Sequence, residues 1–165
     1  MAIRKGKKPE DSAKDCKIMT QYSLKEDLKC SARILLVEDN PVNQKLAGMM
    51  LGKAGYHVEI AGNGLEAVEK FTATPDDFDL IFMDVQMPVM DGYAATRRIR
   101  QWEGQNRARP VPILALTAHA LPEEVRKSLD AGCTAHLTKP IRKPVLLEAI
   151  REFAAPGPVF PGDRP

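Results

Sequence analysis

Apolar residues along this chain fall into five short runs, each followed by a stretch with the spacing of an amphipathic helix. The runs predict β-strands, because each is short, largely apolar and bounded by turn-forming or charged residues. They are residues 33–37, 57–61, 80–83, 111–116 and 134–137. Residues 80–83 are apolar at every position, which predicts a central strand that is covered on both faces.

Helix-starting residues follow each predicted strand. The start signals are Asn40 with Pro41, Asn63 with Glu66 as a capping box, Asp91, Pro122 and Pro144. The apolar faces expected on the five helices are Val42, Leu46, Met49 and Met50; Leu65, Val68 and Phe71; Ala95, Ile99 and Trp102; Val125 and Leu129; and Leu146, Leu147, Ile150 and Phe153. Residues 103–109 are polar and basic, and they are predicted to form a loop after the third helix.

The regular alternation of strand and helix predicts an α/β fold, a doubly wound parallel sheet of five strands with helices on both faces. A length of 165 residues suits one domain with tails. We place the globular part at residues 32–154, between a basic linker or N-terminal arm at 1–31 and a Pro-rich disordered tail at 155–165. Ligands of such sheets bind outside the carboxyl ends of the strands.

The net charge of +2 predicts neither nucleic acid nor an anionic membrane as a partner. The basic excess is local to residues 1–31, where a solvated arm is the simplest interpretation and a contact with a partner the other. Three cysteines without a Cys-x-x-Cys pair argue against a disulfide framework or a zinc site and favour a reducing compartment. Since neither a membrane span nor a signal core is found, we expect a cytoplasmic chain or a piece of a protein anchored elsewhere.

Reactive side chains follow the ends of four predicted strands: Glu38 with Asp39, Asp84, Thr117 and Lys139. If the first and third strands are neighbours, the three carboxylates converge and cannot all stay ionised without a cation between them. Mg²⁺ suits such oxygen ligands, and the backbone carbonyl of Gln86 is well placed to join them. The alternative is that Glu38 and Asp39 only cap the following helix.

Asp84 is predicted to be a nucleophile that accepts a phosphoryl group, or otherwise only a metal ligand. Lys139 would supply a fixed positive charge, and a cis bond to Pro140 would fix the turn that aims it, although the sequence leaves cis and trans open. The hydroxyl of Thr117 could donate to a phosphoryl oxygen or simply finish its strand. His136 is either an ordinary core or edge histidine, or a ring that changes rotamer when Thr117 moves.

Four motifs taken together resemble the receiver domain of two-component response regulators. They are Val37-Glu38-Asp39-Asn40, residues 83–92 around Asp84, Leu116-Thr117-Ala118, and Leu137-Thr138-Lys139-Pro140. The resemblance covers residues 32–154, and it implies a flavodoxin-like sheet with strand order 2-1-3-4-5. It also implies that Asp84 accepts a phosphoryl group from a partner phosphohistidine, with Mg²⁺ bound by Glu38, Asp39, Asp84 and the Gln86 carbonyl.

In the same family, Lys139 would hold the phosphoryl group, while Thr117 and His136 would form a switch pair. Residues 38–44 and 116–120 look most like the receivers of hybrid sensor histidine kinases. The resemblance therefore implies a histidine kinase or a histidine phosphotransfer protein as partner, with a homodimer possible on phosphorylation. The chain would be a regulatory phosphoacceptor that assists its own phosphotransfer and dephosphorylation, either excised from a hybrid kinase or a stand-alone regulator.

Three other functions compete with this one. A haloacid-dehalogenase-like aspartyl phosphatase also uses a strand-end Asp and Mg²⁺, but it needs a second Asp where this chain has Gln86. A flavodoxin-like cofactor binder needs a phosphate loop rich in glycine and hydroxyl groups after the first strand, where Glu38 and Asp39 would repel a phosphate. A degenerate receiver would act only as a protein-binding module.

Overall fold

The computed structural model describes residues 32–106 and 108–154. The predicted arm at 1–31 and tail at 155–165, with Cys16 and Cys30, lie outside the described residues, so the domain boundaries stay a prediction. Cys133 is a buried free thiol. Within the described ranges, no helix combines the length and the apolar character needed to cross a bilayer.

Five parallel strands form one sheet in the order β2-β1-β3-β4-β5, which confirms the predicted architecture. The strands are β1 (Arg33–Val37), β2 (His57–Ala61), β3 (Leu80–Asp84), β4 (Ile113–Thr117) and β5 (Ala135–Thr138). The helices of the described ranges are α1 (Pro41–Lys53), α2 (Gly64–Ala73), α3 (Gly92–Asn106), α4 (Pro122–Ala131) and α5 (Lys143–Phe153), with a 3₁₀ turn at Pro75–Asp77. β4 and β5 end one residue later than predicted, which places Thr117 inside its strand.

The core has two layers because successive side chains of a buried parallel strand point to opposite faces. In β3, Leu80 and Phe82 pack under α1 and α5, whereas Ile81 and Met83 pack under α2 and α3. All five residues of β3 are buried, as the continuous apolar run predicted. The central strand thus holds Asp84 rigidly at its end.

Helix ends follow the predicted capping signals. Asn40 Oδ1 accepts from the amide of Val42 at 2.9 Å, and Asp91 Oδ1 accepts from the amide of Ala94 at 2.8 Å. The capping box at α2 is confirmed on the side of Asn63, which accepts from the amide of Glu66 at 2.9 Å. The carboxylate of Glu66 accepts from the amide of Gly62 at 2.7 Å, one residue before the cap.

The predicted inward face of α1 was wrong for three of its four residues, whereas the fourth, Met50, packs against the core. Val42, Leu46 and Met49 are 73%, 52% and 48% exposed, while Ala47 and Leu51 are buried against the sheet. The helix carries two apolar stripes, and the small side chain of Ala47 lets the second one approach the sheet closely. Two more residues of the predicted apolar faces, Leu65 and Leu129, are also exposed.

The predicted loop at residues 103–109 was also wrong, because α3 continues to Asn106. Glu103 is only 3% exposed, and its oxygens accept from the amide of Val111 and from Arg100 Nη1, both at 2.8 Å. Arg100 Nε in turn donates to the carbonyl of Gly132 at 2.9 Å. These partners satisfy a buried carboxylate that sequence polarity had assigned to a loop.

Candidate functional site

The strand register brings the four predicted strand ends to one edge of the sheet. Val37 of β1 pairs with Met83 of β3, so that Glu38 and Asp84 follow side by side. Thr117 of β4 pairs with Thr138 of β5, which places Lys139 next in line. The topology therefore gathers residues that are up to 101 positions apart in sequence.

Lys139 joins two of the acids. Its Nζ donates to Asp84 Oδ2 at 2.8 Å and to Glu38 Oε2 at 2.9 Å. The amide of Lys139 donates to the Thr117 carbonyl at 2.7 Å, and the Lys139–Pro140 bond is cis. The carboxylates are 5% and 3% exposed, and the lysine side chain is 26% exposed. The ion pair is therefore largely shielded from water, which strengthens it relative to a surface pair.

Glu38 is held on its other side by α1. Its Oε1 accepts from the amide of Asn40 and from Asn43 Nδ2, each at 3.2 Å. The carbonyl of Glu38 accepts from Gln44 Nε2 at 2.6 Å. Sequence reasoning missed Asn43 and Gln44, although two amide side chains in the first turn of the helix after an acidic pair were a usable signal.

Asp84 is 4% exposed, and its Oδ1 accepts from the amide of Gln86 at 3.2 Å. Gly92 lies directly behind it. A Cβ at Gly92 would collide with the Asp84 carbonyl and lie 2.9 Å from Cγ of Met83. Glycine at this position therefore lets the start of α3 approach the strand end that carries the acid.

Asp84, Glu38 and Lys139 all have shifted pKa values. Burial, joined by the nearby charge of Glu38, raises the pKa of Asp84 despite the bonds from Lys139 and the Gln86 amide. Burial alone would raise the pKa of Glu38, but the bonds from Lys139, Asn43 and Asn40 lower it below its usual value. Burial opposes the lysine charge, yet the bonds to Asp84 and Glu38 raise the pKa of Lys139. Asp84 is thus the less acidic of the two buried carboxyls.

The donor set fits a hard divalent cation. Glu38, Asp39 and Asp84 each offer one carboxylate oxygen, and these oxygens lie within 4.8 Å of one another. Asp39 is exposed, so an ion could keep several of its waters, as Mg²⁺ does. The ammonium of Lys139 already supplies one positive charge between Glu38 and Asp84, so part of the negative charge of the three carboxylates is offset without a metal. The Gln86 carbonyl stays a predicted ligand.

Thr117 and His136 share a face of the sheet. Thr117 pairs with Thr138, and His136 lies two residues before Thr138 on the same strand, so both side chains project to one side. Thr117 is 3% exposed, and its Oγ1 donates to the carbonyl of His119 at 2.9 Å. His136 is half-buried opposite Ala115. Their predicted roles as a switch pair stay predictions.

A cavity of about 400 Å³ opens between α1 and the loop after β5, beside the ion pair. It is lined by Glu38, Asn43, Leu46, Ala47, Met50, Ala118, Lys139, Pro140 and Ile141. The exposed apolar stripe of α1 therefore continues into a space that ends on the charged groups of the site.

Comparisons with known proteins agree on one family. Residues 34–151 match the response regulator receiver domain. The chain is 43% identical over 129 residues to a probable histidine kinase 2 of Oryza sativa subsp. indica, an alignment that covers 71% of this chain and 12% of that protein. Several of the curated relatives are hybrid or sensor histidine kinases, and the chain matches only 4% to 15% of the length of the first eight of them.

Solved structures similar to this one include two receivers. The first is the Saccharomyces cerevisiae receiver domain of Ssk1, crystallised with the histidine phosphotransfer protein Ypd1, with a TM-score of 0.72, 38% identity and coverage of 75% of this chain and 89% of that chain. The second is the receiver of sensor histidine kinase PA1611 from Pseudomonas aeruginosa, with a magnesium ion in its active-site cleft, a TM-score of 0.67, 40% identity and coverage of 76% and 99%. With the matching fold, strand order and motifs, these similarities show that the chain belongs to the response regulator receiver domain family.

Proposed function

We propose that this receiver works in a phosphorelay, in which Asp84 accepts a phosphoryl group from a phosphohistidine on a partner protein in the presence of Mg²⁺. The observation that carries the proposal is the contact of Asp84 Oδ2 with Lys139 Nζ at 2.8 Å, at the same strand edge as the two other acids. A buried nucleophilic carboxylate, a fixed cation and adjacent metal ligands are the parts that phosphoryl transfer needs.

The transfer is a displacement at phosphorus. An Asp84 oxygen forms the new O–P bond while the N–P bond of phosphohistidine breaks, and the bonding electrons return to the imidazole nitrogen of the partner. Lys139, now shared between Asp84 and Glu38, is placed to bind an oxygen of the transferred group. Mg²⁺ held by Glu38, Asp39, Asp84 and the Gln86 carbonyl would add divalent charge where negative charge accumulates.

The response begins at Thr117. Its hydroxyl is bonded to the His119 carbonyl, and a phosphoryl oxygen on Asp84 offers a charged acceptor in its place. Movement of Thr117 would then be followed by His136 on the same face of the sheet. The surface formed by α4, β5 and α5 would change conformation in response. Homodimerisation through this surface is one form that the output could take.

The partner for transfer is a histidine phosphotransfer protein or a histidine kinase. The support is the exposed apolar stripe of α1, Val42, Leu46 and Met49, of which Leu46 lines the cavity beside Lys139. An unpartnered apolar stripe next to a reactive centre is typical of a protein-binding surface. The receiver of Ssk1, a structural relative of this chain, was crystallised with a phosphotransfer protein.

We place this receiver, at residues 32–154, within a cytoplasmic hybrid histidine kinase, since several of the curated relatives are kinases of this class. The chain then acts as a regulatory phosphoacceptor that assists its own phosphotransfer and dephosphorylation. A haloacid-dehalogenase-like phosphatase is disfavoured by Gln86, which stands where that chemistry needs a second acid. A flavodoxin-like cofactor site is disfavoured by Glu38 and Asp39, which follow β1 where that class needs a phosphate loop rich in glycine and hydroxyl groups.

The test is phosphorylation by acetyl phosphate, with intact-mass and peptide mapping. The wild-type chain should gain one phosphoryl group at Asp84 when Mg²⁺ is present, and should gain none when the ion is chelated before acetyl phosphate is added. Asp84→Asn should not be labelled, whereas Asp77→Asn, a control at an exposed aspartate, should be labelled normally. Label that persists in Asp84→Asn, or without any divalent ion, would overturn the proposal.

A further inference from the structure

The main chain of Glu38 is fixed from both sides. Its amide donates to the Ala61 carbonyl at 3.1 Å, and its carbonyl accepts from Gln44 Nε2 at 2.6 Å. With the main chain fixed, only the torsion angles of the Glu38 side chain can change the position of its carboxylate. Glutamate has one more rotatable bond than aspartate, so this acid needs other contacts to keep its carboxylate in one orientation.

Two donors on α1 fix that orientation. Oε1 accepts from the amide of Asn40 and from Nδ2 of Asn43, each at 3.2 Å, while Oε2 is turned toward Lys139. The Asn40 amide is present in every variant because it belongs to the backbone. Asn43 is therefore the side chain of α1 that holds Oε1, while Lys139 holds Oε2 from the other side. Side chains in a helix lean toward its N-terminus, which explains how Asn43 reaches back to the strand end.

The orientation of Glu38 decides how the charge of Lys139 is shared. Nζ lies 2.9 Å from Glu38 Oε2 and 2.8 Å from Asp84 Oδ2, so the two acids hold one ammonium between them. If Glu38 turned away, the ammonium would pair with Asp84 alone. An exclusive ion pair would mask the oxygen that must attack phosphorus and would remove one of the three carboxylates from the cation site.

We propose that Asn43 is a positioning residue for phosphoryl transfer, which holds Glu38 toward Lys139 and so keeps Asp84 partly free of the lysine. The inference rests on the proposed function of Asp84. It assigns Asn43 no contact with the phosphoryl group. Two other roles for Asn43 are a contact with the partner protein, since its side chain is exposed, and local support of α1.

The experiment measures Asp84 phosphorylation in the full chain with acetyl phosphate, which removes any partner contact from the reaction. Asn43→Ala should lower the maximal rate roughly 5-fold, the size expected for one ordinary hydrogen bond, with an unchanged melting temperature. Asn43→Gln, which keeps a donor, should recover at least half of the lost rate. The matched control Lys45→Ala, an exposed residue of the same helix, should behave as wild type. Calorimetry should show weaker Mg²⁺ binding in Asn43→Ala alone.

The outcomes separate this inference from the function on which it rests. A wild-type chain that is not labelled at Asp84 overturns both. A labelled wild type with an equally fast Asn43→Ala overturns only the role of Asn43, and so does a defect that appears solely with a phosphohistidine protein as donor. A rate loss that Asn43→Gln does not relieve, or that tracks a lowered melting temperature, assigns Asn43 to helix support and also overturns the proposal.

Discussion

Lys139 Nζ lies 2.8 Å from Asp84 Oδ2, so the amine that follows β5 contacts the carboxylate that ends β3, 55 residues earlier in the chain. The same ammonium is 2.9 Å from Glu38. Before any phosphoryl group arrives, the ammonium of Lys139 therefore binds the same two carboxylates that a metal cation would bind. It also lies where it could contact a phosphoryl oxygen on Asp84. This contact places one positive charge between two buried carboxylates, so it offsets part of their negative charge in the absence of other ions.

The first prediction concerns competition between Lys139 and Mg²⁺. In Lys139→Ala, two of the three metal-site carboxylates lose their ammonium partner, so we expect Mg²⁺ to bind more tightly, by about 3-fold to 10-fold. Titration calorimetry at pH 7 checks this. Lys127→Ala, which removes an exposed lysine paired with Glu124, is the control and should leave the affinity unchanged. Weaker binding in Lys139→Ala would mean that the amine supports the cation site instead of competing with it.

The second prediction follows from the raised pKa of Asp84. Because the folded chain holds this proton more tightly than the unfolded chain, ionisation of Asp84 removes stability as the pH rises from about its ordinary value, 3.8, through the raised folded pKa. Asp84→Asn has no ionisable group at this position, so it does not lose this stability as the pH rises. Without its charge the pKa of Glu38 falls further, which acts in the same direction.

The free energy of unfolding of Asp84→Asn, relative to wild type, should therefore increase over that pH window and stay level above it. Urea unfolding in chelator at several pH values measures it. The bond from Lys139 opposes this effect without reversing it, since the pKa of Asp84 is raised with that bond in place. Added Mg²⁺ should stabilise the wild type more than the variant. Parallel pH curves for the two proteins would contradict the assigned shift.

The sequence predicted the reactive edge because parallel strands end together, so residues that follow them must meet. Glu38, Asp84, Thr117 and Lys139 were placed by that rule alone, and the structure puts them on one edge. Their catalytic roles are a separate matter that geometry supports and phosphorylation must test. Asn43 was missed because its contact with Glu38 depends on the path of the loop between β1 and α1.

The errors in the fold arise where hydrophobic periodicity does not determine which partner a side chain contacts. Hydrophobicity cannot tell which apolar stripe of α1 faces the sheet, so Leu46 was placed inward when Ala47 is the buried residue. Glu103 was predicted to lie in a loop because a carboxylate is seldom buried without hydrogen-bond donors. One of its donors, the amide of Val111, lies beyond the end of the helix and could not be foreseen. Hydrogen bonds of this kind do not alter the hydrophobic periodicity of the sequence, so the periodicity cannot predict them.

The third prediction concerns backbone strain at Val89. This β-branched residue has φ of 71°, inside a turn closed by the Met90 amide and the Pro88 carbonyl at 2.8 Å. A β-branched side chain is strained in this region, whereas asparagine tolerates it. Val89→Asn should therefore stabilise the fold by about 1 kcal/mol in urea unfolding.

The control for this substitution is Val42→Asn. Val42 is 73% exposed and Val89 is 79% exposed, so both changes remove similar apolar surface, but Val42 lies in α1 with helical geometry. No gain is expected there. An equal gain at both positions would show that stability came from surface polarity and not from relief of the turn.

The fourth prediction uses two glycines of α3. At Gly92 a Cβ would meet the Asp84 carbonyl, which belongs to the buried strand end and cannot yield easily, so Gly92→Ala should destabilise the fold by about 2 kcal/mol or more. At Gly104 no atom lies within 4 Å of the added Cβ, and Gly104→Ala should stabilise by up to about 1 kcal/mol through helix propensity. Opposite signs in urea unfolding are the expected result.

Gly92→Ala should also slow phosphorylation of Asp84 by acetyl phosphate under conditions where the variant is fully folded. The reason is that the added methyl group must push the strand end that aims the carboxylate, and small displacements of a nucleophile lower its rate strongly. Gly104→Ala, on the same helix, should react at the wild-type rate. If Gly92→Ala were destabilised but equally reactive, the close approach of α3 would serve packing alone, and the aim of Asp84 would have to be set by its bonds to Gln86 and Lys139.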